Sequence, residues 1–274
     1  MESSRPTIGI VIIIKKKKTI LIFGGKGFIG KNLLNDLRGK YRCWCATKKN
    51  KNIYKSRNFD FLINANGNSN KRLAQSDPIL DFNKSVLSTL ESVASFKYKH
   101  YIFISSCEVY PNLSQKKDTK ENVKADSILS KYGFHKFLSE QIVRQYCPEY
   151  TILRLSTPIG PGLKKGPIFD LISGGKVWVS LKSRFHVLHT RYISDFIHSL
   201  IKTSISCQTF NLVSRNSISI ERIIQMLNLS KPDEKENKII SHSINSSKAN
   251  KIMILPSSET CILDFQKKKK NKWN

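Results

Sequence analysis

Acidic residues are scarce in this chain. Across 274 residues it sets 20 Asp and Glu against 47 Lys and Arg, a formal net charge of +27. Such an excess suits a polyanionic partner, nucleic acid or an acidic membrane, if it is gathered on one stripe. Here the lysines are spread along the chain, with runs only at 15–18 and 267–270, which reads as a compositional habit shared with the abundant Asn and Ile. What the charge does dictate is attraction of anionic ligands, weakened by salt. Cysteine is sparse as well: the six, at 43, 45, 107, 147, 207 and 261, show neither a disulfide-framework spacing nor a paired CxxC zinc pattern. They read as reduced thiols of a cytoplasmic protein. Long apolar runs are missing too. Residues 8–14 are too short to span a bilayer, and the lysines follow that run, the wrong order for a secretory leader. The six histidines assemble into no recognisable metal set; no metal is expected.

With 39% hydrophobic residues and this length, the chain can bury a sizeable core without staples. Apolar runs at 19–23, 41–46, 61–65, 101–105 and 151–155 have the texture of buried parallel strands. Helical periodicity lies between most of them, for example at 28–38, 79–96 and 129–146. Strands alternating with helices predict an α/β fold with a doubly wound parallel sheet. Beyond Arg154, Gly160-Pro161-Gly162 and Gly174-Gly175 punctuate shorter segments, and a smaller C-terminal lobe is expected there. The expected division is an N-terminal extension over 1–17, available as an extra edge strand, a main domain over 18–160, and the lobe over 161–274, with segments around 190–215 returning to the main domain.

Directly after Thr19-Ile20-Leu21-Ile22-Phe23 comes Gly24-Gly25-Lys26-Gly27-Phe28-Ile29-Gly30. Gly25, Gly27 and Gly30 fit GxGxxG, and Gly24, Gly27 and Gly30 fit GxxGxxG. Either asks for a sharp turn, a backbone close enough to touch a pyrophosphate, and an anion at the helix N-terminus. The strand before and the helix after supply the required context. An NAD site usually adds an acid about 20 residues on, for the ribose hydroxyls. No acidic residue occurs between Asp36 and Asp60, and the second strand runs instead into Lys48 and Lys49. A carboxylate would repel a 2′-phosphate and a lysine attracts one, so NADP is expected over NAD; the plainer alternative is a surface lysine pair.

Tyr132 and Lys136 are i and i+4 on a helix-like segment and share a face. An ammonium beside a phenol is expected to lower the tyrosine pKa and make it a usable acid/base. The apolar run Tyr101-Ile102-Phe103-Ile104 ends in Ser105-Ser106-Cys107-Glu108, and ligands of doubly wound sheets sit beyond the carboxyl ends of the strands. Ser106 is thus where chemistry is expected.

From about Thr19 to Leu229 the chain resembles the extended short-chain dehydrogenases/reductases, especially the NAD(P)-dependent sugar-nucleotide epimerases and dehydratases. The resemblance rests on the glycine turn, Asp60-Phe61-Leu62-Ile63-Asn64-Ala65, Ile104-Ser105-Ser106-Cys107-Glu108-Val109-Tyr110, Tyr132 with Lys136, Arg154 with Gly160-Pro161-Gly162, Tyr192-Ile193-Ser194-Asp195 and Phe210-Asn211-Leu212. It implies a Rossmann-like sheet with a C-terminal substrate-binding lobe, a homodimer through the helices at about 80–96 and 129–146, and a nucleotide-sugar substrate. It implies Tyr132 as acid/base, Lys136 tuning it and holding the nicotinamide ribose, and Ser106 on the reacting hydroxyl. Glu108 matches a second acid/base of the dehydratases. Gly24, Gly27, Phe28, Ile29, Gly30, Lys48 and Ala65 fall on the cofactor side.

The match has gaps. Residues 49–60 are too few for the usual third strand and its helix, so that sheet edge should be truncated. Ser85 and Thr157 stand where the family tends to have asparagines, the second facing substrate. Leu188 stands where an arginine often binds the diphosphate; Arg184 or Arg191 are candidates to substitute. His135 reads as a surface residue, and no catalytic role passes to Cys107. The rival reading is a non-catalytic protein of the same fold that binds RNA or responds to dinucleotide occupancy, supported by the charge and the two lysine runs.

Overall fold

The computed structural model describes residues 16–122, 129–232 and 238–270. Six parallel strands form its centre: β1 (Thr19–Phe23), β2 (Arg42–Ala46), β3 (Asn58–Asn64), β4 (Lys97–Ser106), β5 (Tyr150–Leu155) and, after shorter strands named below, β9 (Gln208–Asn211). Their order is β2-β1-β3-β4-β5-β9. Parallel strands bury both faces, which is why they read as continuous apolar runs. The two-residue period then deals alternate side chains to opposite layers.

Ile20, Ile22, Ile63, Ile102, Ile104 and Leu153 face one layer, with Leu33, Leu34 and Leu37 of α1 (Phe28–Leu37) and with Ile193, Phe196, Ile197 and Leu200 of the later helix α7 (Thr190–Ile201). Leu21, Phe23, Leu62, Tyr101, Phe103 and Ile152 face the other. Four helices lie on that side: α2 (Lys71–Ser76), α3 (Pro78–Phe82), α4 (Ser88–Ser95) and α5 (Lys131–Tyr146), with Val93 and Val143 closing the layer. A π-helical turn, Asn83–Leu87, joins α3 to α4. Helices on both faces make the sheet doubly wound. Only a turn and a 3-10 helix (Lys51–Tyr54) separate β2 from β3, so β2 is the edge strand.

The C-terminal part adds β6 (Thr157–Ile159), α6 (Pro167–Ile172), β7 (Arg184–Phe185), β8 (Val187–His189), β10 (Ile218–Ser219), α8 (Ile220–Leu227), α9 (Ser247–Asn250) and α10 (Ser258–Lys270). The strands pair as β6 with β8 and β10 with β7. Ile168, Leu171, Phe185, Ile223, Leu255 and Ile262 extend the α1/α7 layer without a break. The apolar run at 8–14, expected as an edge strand, lies outside the described residues. Among the described residues no helix is long and apolar enough to cross a membrane.

Candidate active site

The carboxyl ends of β1, β3 and β4 meet at one place. After β1 the chain turns at Gly24, whose φ is +85°; a Cβ there would lie 2.7 Å from the Asn66 backbone. Ala65 N donates to Phe23 O at 2.9 Å, which brings the end of β3 against the turn. A Cβ on Gly30 would lie 2.3 Å from Gly24 O, so α1 can only pack this tightly on the turn with glycine there. Of the two readings of the motif, Gly24-x-x-Gly27-x-x-Gly30 is the one whose first glycine takes the left-handed conformation. Gly27 is the N-cap of α1, no side chain caps it, and the first turn holds no acid. The first-turn amides of Phe28, Ile29 and Gly30 have no intrahelical acceptor, a ready site for a pyrophosphate. The cradle therefore fits a dinucleotide.

Gly24 N donates to Ala46 O, so the end of β2 lies beside the cradle as well. Lys48 and Lys49 sit exposed in the following turn, which is closed by Asn50: its Oδ1 accepts from Thr47 N at 2.7 Å and its Nδ2 donates to Cys45 O at 3.1 Å.

At the end of β4, Ser106 hydrogen-bonds the Tyr132 phenol, and its Oγ accepts from Glu108 N at 3.2 Å. The Glu108 carboxylate pairs with Lys71 of α2 at 2.6 Å. One turn along α5, which is capped by the Ser130 hydroxyl on Gly133 N, the buried Lys136 donates to Ile104 O at 3.3 Å and lies over the Phe103 ring. Ser106, Glu108, Tyr132 and Lys136 are thus brought together. Burial draws the Lys136 pKa down to about 8, against the pull of Asp81 and Glu140. The Tyr132 pKa moves opposite to expectation: burial pushes it up, Glu108 and Asp81 add to that, and the Ser106 hydrogen bond only partly opposes. A lysine neighbour does not lower a phenol pKa when desolvation and two carboxylates outweigh it.

A family model described as the NAD dependent epimerase/dehydratase family matches residues 20–173. The chain belongs to that family. Enzymes of this kind are of the extended short-chain dehydrogenase type, and solved structures agree in fold. The UDP-glucuronic acid 4-epimerase of Bacillus cereus, solved with UDP-glucuronic acid and NAD, is 16% identical over 90% of this chain and 97% of its own, with a TM-score of 0.76. A dTDP-4-dehydrorhamnose reductase of Bacillus anthracis, in complex with NADP, is 17% identical over 93% and 99%, with a TM-score of 0.77. An epimerase of Methanothermobacter thermautotrophicus is 14% identical over 94% of each chain, at 0.76. Among curated proteins no sequence matches.

Beyond the motifs of the epimerase/dehydratase family, the structure adds residues that sequence reading passed over. His135, expected at the surface, is buried, its Nδ1 2.6 Å from Asp81 Oδ2. Sitting between Tyr132 and Lys136, it turns inward because α3 packs on α5 and presents that carboxylate. His242, arriving from the C-terminal part, stands 3.2 Å from Ser156 Oγ at the end of β5. Its pKa is drawn down to about 4 by burial, with Lys71 and His186 adding and Glu108 opposing. His186 is structural: its Nδ1 pairs with Ser214 O at 2.7 Å and its Nε2 accepts from Ile244 N at 3.1 Å. No sequence signal marked Asp81 or His242, whose neighbours lie far along the chain.

The remaining candidates are spread. Thr157 opens β6, its N–H bonded to His186 O at 3.2 Å. Arg184 gives its guanidinium to Ser217. Arg191 lies over the Tyr192 ring and 3.7 Å from Asp195 on the exposed side of α7. Cys107 is buried and its thiol pKa is pushed up by desolvation, so it is no nucleophile. Among the described residues no group of three or more His, Cys, Asp or Glu could hold a metal.

Proposed function

We propose that the protein is an NADP-preferring enzyme that oxidises and reduces a nucleotide-activated sugar, with Tyr132 as its acid/base. The observation that carries this is the convergence of Ser106, Tyr132 and Lys136 at the end of β4, one strand from the glycine cradle. When bound, the nicotinamide supplies a hydride donor or acceptor. The chain's own residues handle the proton. With its pKa raised, Tyr132 rests as a phenol at neutral pH, ready to protonate the oxygen of a carbonyl being reduced. In the reverse direction it must first lose that proton, and turnover is expected to rise with pH. Ser106 donates to or accepts from the same oxygen and orients it. Lys136 keeps a positive charge beneath the phenol and binds the nicotinamide ribose. Gly24, Gly27, Phe28, Ile29, Gly30 and Ala65 line the dinucleotide, with Lys48 on a 2′-phosphate.

Glu108 acts as a second acid/base only once its pairing with Lys71 is loosened, so a substrate that draws Lys71 away would favour dehydration. Thr157 is assigned to the sugar side; Arg184 and Arg191 reach a diphosphate only by leaving their present partners. The six cysteines are free thiols, which suits a reducing cytoplasm. A homodimer is proposed through the exposed apolar face of α3 to α5.

The test is a titration with NADPH and with NADH, followed by nicotinamide fluorescence at moderate salt. NADPH should bind more tightly, and Lys48→Glu with Lys49→Glu should remove the preference. Tyr132→Phe should bind NADPH as before and lose turnover on sugar nucleotides. If neither dinucleotide binds, the enzymatic reading fails and RNA becomes the ligand to try.

A further inference from the structure

Asp81 is fully buried at the end of α3, and the proposed chemistry gives it no task. Burying a carboxylate costs several kcal/mol unless its oxygens are satisfied. Here they are: Oδ1 accepts from Asn68 Nδ2 at 2.8 Å and from Ser85 Oγ at 3.3 Å, and Oδ2 faces His135 Nδ1 at 2.6 Å. Ser85 Oγ in turn accepts from Asn68 N at 3.1 Å. The His135 ring is wedged edge-on against Phe82, 5.6 Å between centroids. An apolar pair would tie α3 to α5 equally well, so holding the helices together does not explain a charge here.

What faces Lys136 does. From β4 come the Ile104 carbonyl and the Phe103 ring. From the β3–α2 loop comes Gly67, whose Cβ position would lie 3.5 Å from Lys136 Nζ and 3.6 Å from Ser85 Oγ. Its own helix contributes Glu140, but that carboxylate is already matched by Arg154 and Arg144. Asp81 from α3 is the other anion acting on Lys136, and it acts on Tyr132 as well. The Asp81 network and the Lys136 ammonium share one wall, built from Ser85 and Gly67.

We propose that Asp81 is a positioning residue of the acid/base site: held by His135 Nδ1, Asn68 and Ser85, its negative charge lies behind the Ser85–Gly67 wall that Lys136 shares and keeps that side chain an ammonium. The roles of Tyr132 and Lys136 in catalysis are those proposed above, but the charge of Lys136 can be read without cofactor or substrate. Protein carrying lysine labelled with carbon-13 at Cε gives one resonance that disappears in Lys136→Arg, and its shift is followed against pH. Asp81→Asn, which keeps the shape, should lower the Lys136 proton affinity about tenfold, a downward shift of about one unit. An unchanged titration in a folded Asp81→Asn protein overturns the proposal, since a merely structural carboxylate would change the melting temperature alone. If that variant does not fold, Asp81→Asn with His135→Asn restores an amide-to-amide hydrogen bond without charge and should show the same shift; no shift there also overturns it. Failure of NADPH to bind the unaltered protein would sink the enzymatic reading and leave this titration interpretable.

Discussion

At Gly24 two independent demands fall on one residue: a left-handed φ of +85° and a backbone neighbour 2.7 Å from where a Cβ would go. Gly24→Ala must strain the turn or push Asn66 away, at about 1–3 kcal/mol. Gly39, with nothing within 4 Å of its Cβ position, is the control. In urea unfolding Gly24→Ala should fall well below wild type with NADPH binding lost, while Gly39→Ala stays close to wild type. His242 makes a different residue-scale prediction. Its folded pKa, about 4, lies below the ordinary 6.5, so as pH falls the unfolded chain takes up the proton first. The contribution to stability is intact above about pH 6.5 and is lost on the way down to about 4, by up to about 3 kcal/mol. His242→Asn should flatten the loss of stability across that window; a slope as steep as wild type would show that other groups govern it.

Among elements, the junction of β4, α5 and β5 carries the heaviest buried charge. Glu140 of α5 accepts from Arg154 Nε at 2.9 Å and Nη2 at 2.7 Å, and from Ser105 Oγ at 2.6 Å. Arg154 Nη1 donates to Tyr110 OH at 2.7 Å, and that hydroxyl donates to Asn211 of β9 at 2.9 Å. Burial opposes the Arg154 charge, but Glu140 and Tyr110 more than offset it and raise its pKa. This set fixes α5, and so Tyr132 and Lys136, against the strand that carries Ser106. Arg154→Met strands the Glu140 carboxylate and should lower stability by about 3–5 kcal/mol; adding Glu140→Leu should recover much of it. A double variant no more stable than Arg154→Met would mean that packing, not charge, holds the joint.

The same elements show what the sequence could disclose. Five strands were legible because parallel strands buried on both faces leave unbroken apolar runs, as in Ile20-Leu21-Ile22. The glycine turn was legible, and Ser106, Tyr132 and Lys136 could be singled out as candidates, because each is a local spacing on a strand end or a helix face. The pair of Asp81 with His135 was not: its partners stand 54 residues apart, and a histidine flanked by Phe134 and Lys136 gives no sign of which way it turns. The upward shift of the Tyr132 pKa was hidden for the same reason, since Glu108 and Asp81 reach it through the fold. The π-helical turn at Asn83–Leu87 interrupts the 3.6-residue period and masks where α3 ends.

For the whole molecule, a net charge of +27 and an apolar face pull in opposite directions. Ile79, Leu87 and Phe134 are 76%, 51% and 47% exposed, on neighbouring elements of one side of the sheet. Two copies meeting there would bury apolar surface at about 25 cal/mol per Å² while bringing like charges together. The repulsion is screened over about 8 Å at physiological ionic strength, whereas apolar burial is not weakened by added salt. Dimerisation through this face should therefore strengthen as salt rises, read as a falling dissociation constant in sedimentation. A polyanion held by the lysines would behave the other way, released as salt rises. Leu87→Asp with Phe134→Asp should give a monomer at every salt concentration while leaving NADPH affinity within about twofold, because the cradle is built on β1, α1 and the end of β3. A dimer that survives both substitutions would move the interface elsewhere, and one that dissociates with added salt would mean that charge, not this apolar face, joins the copies.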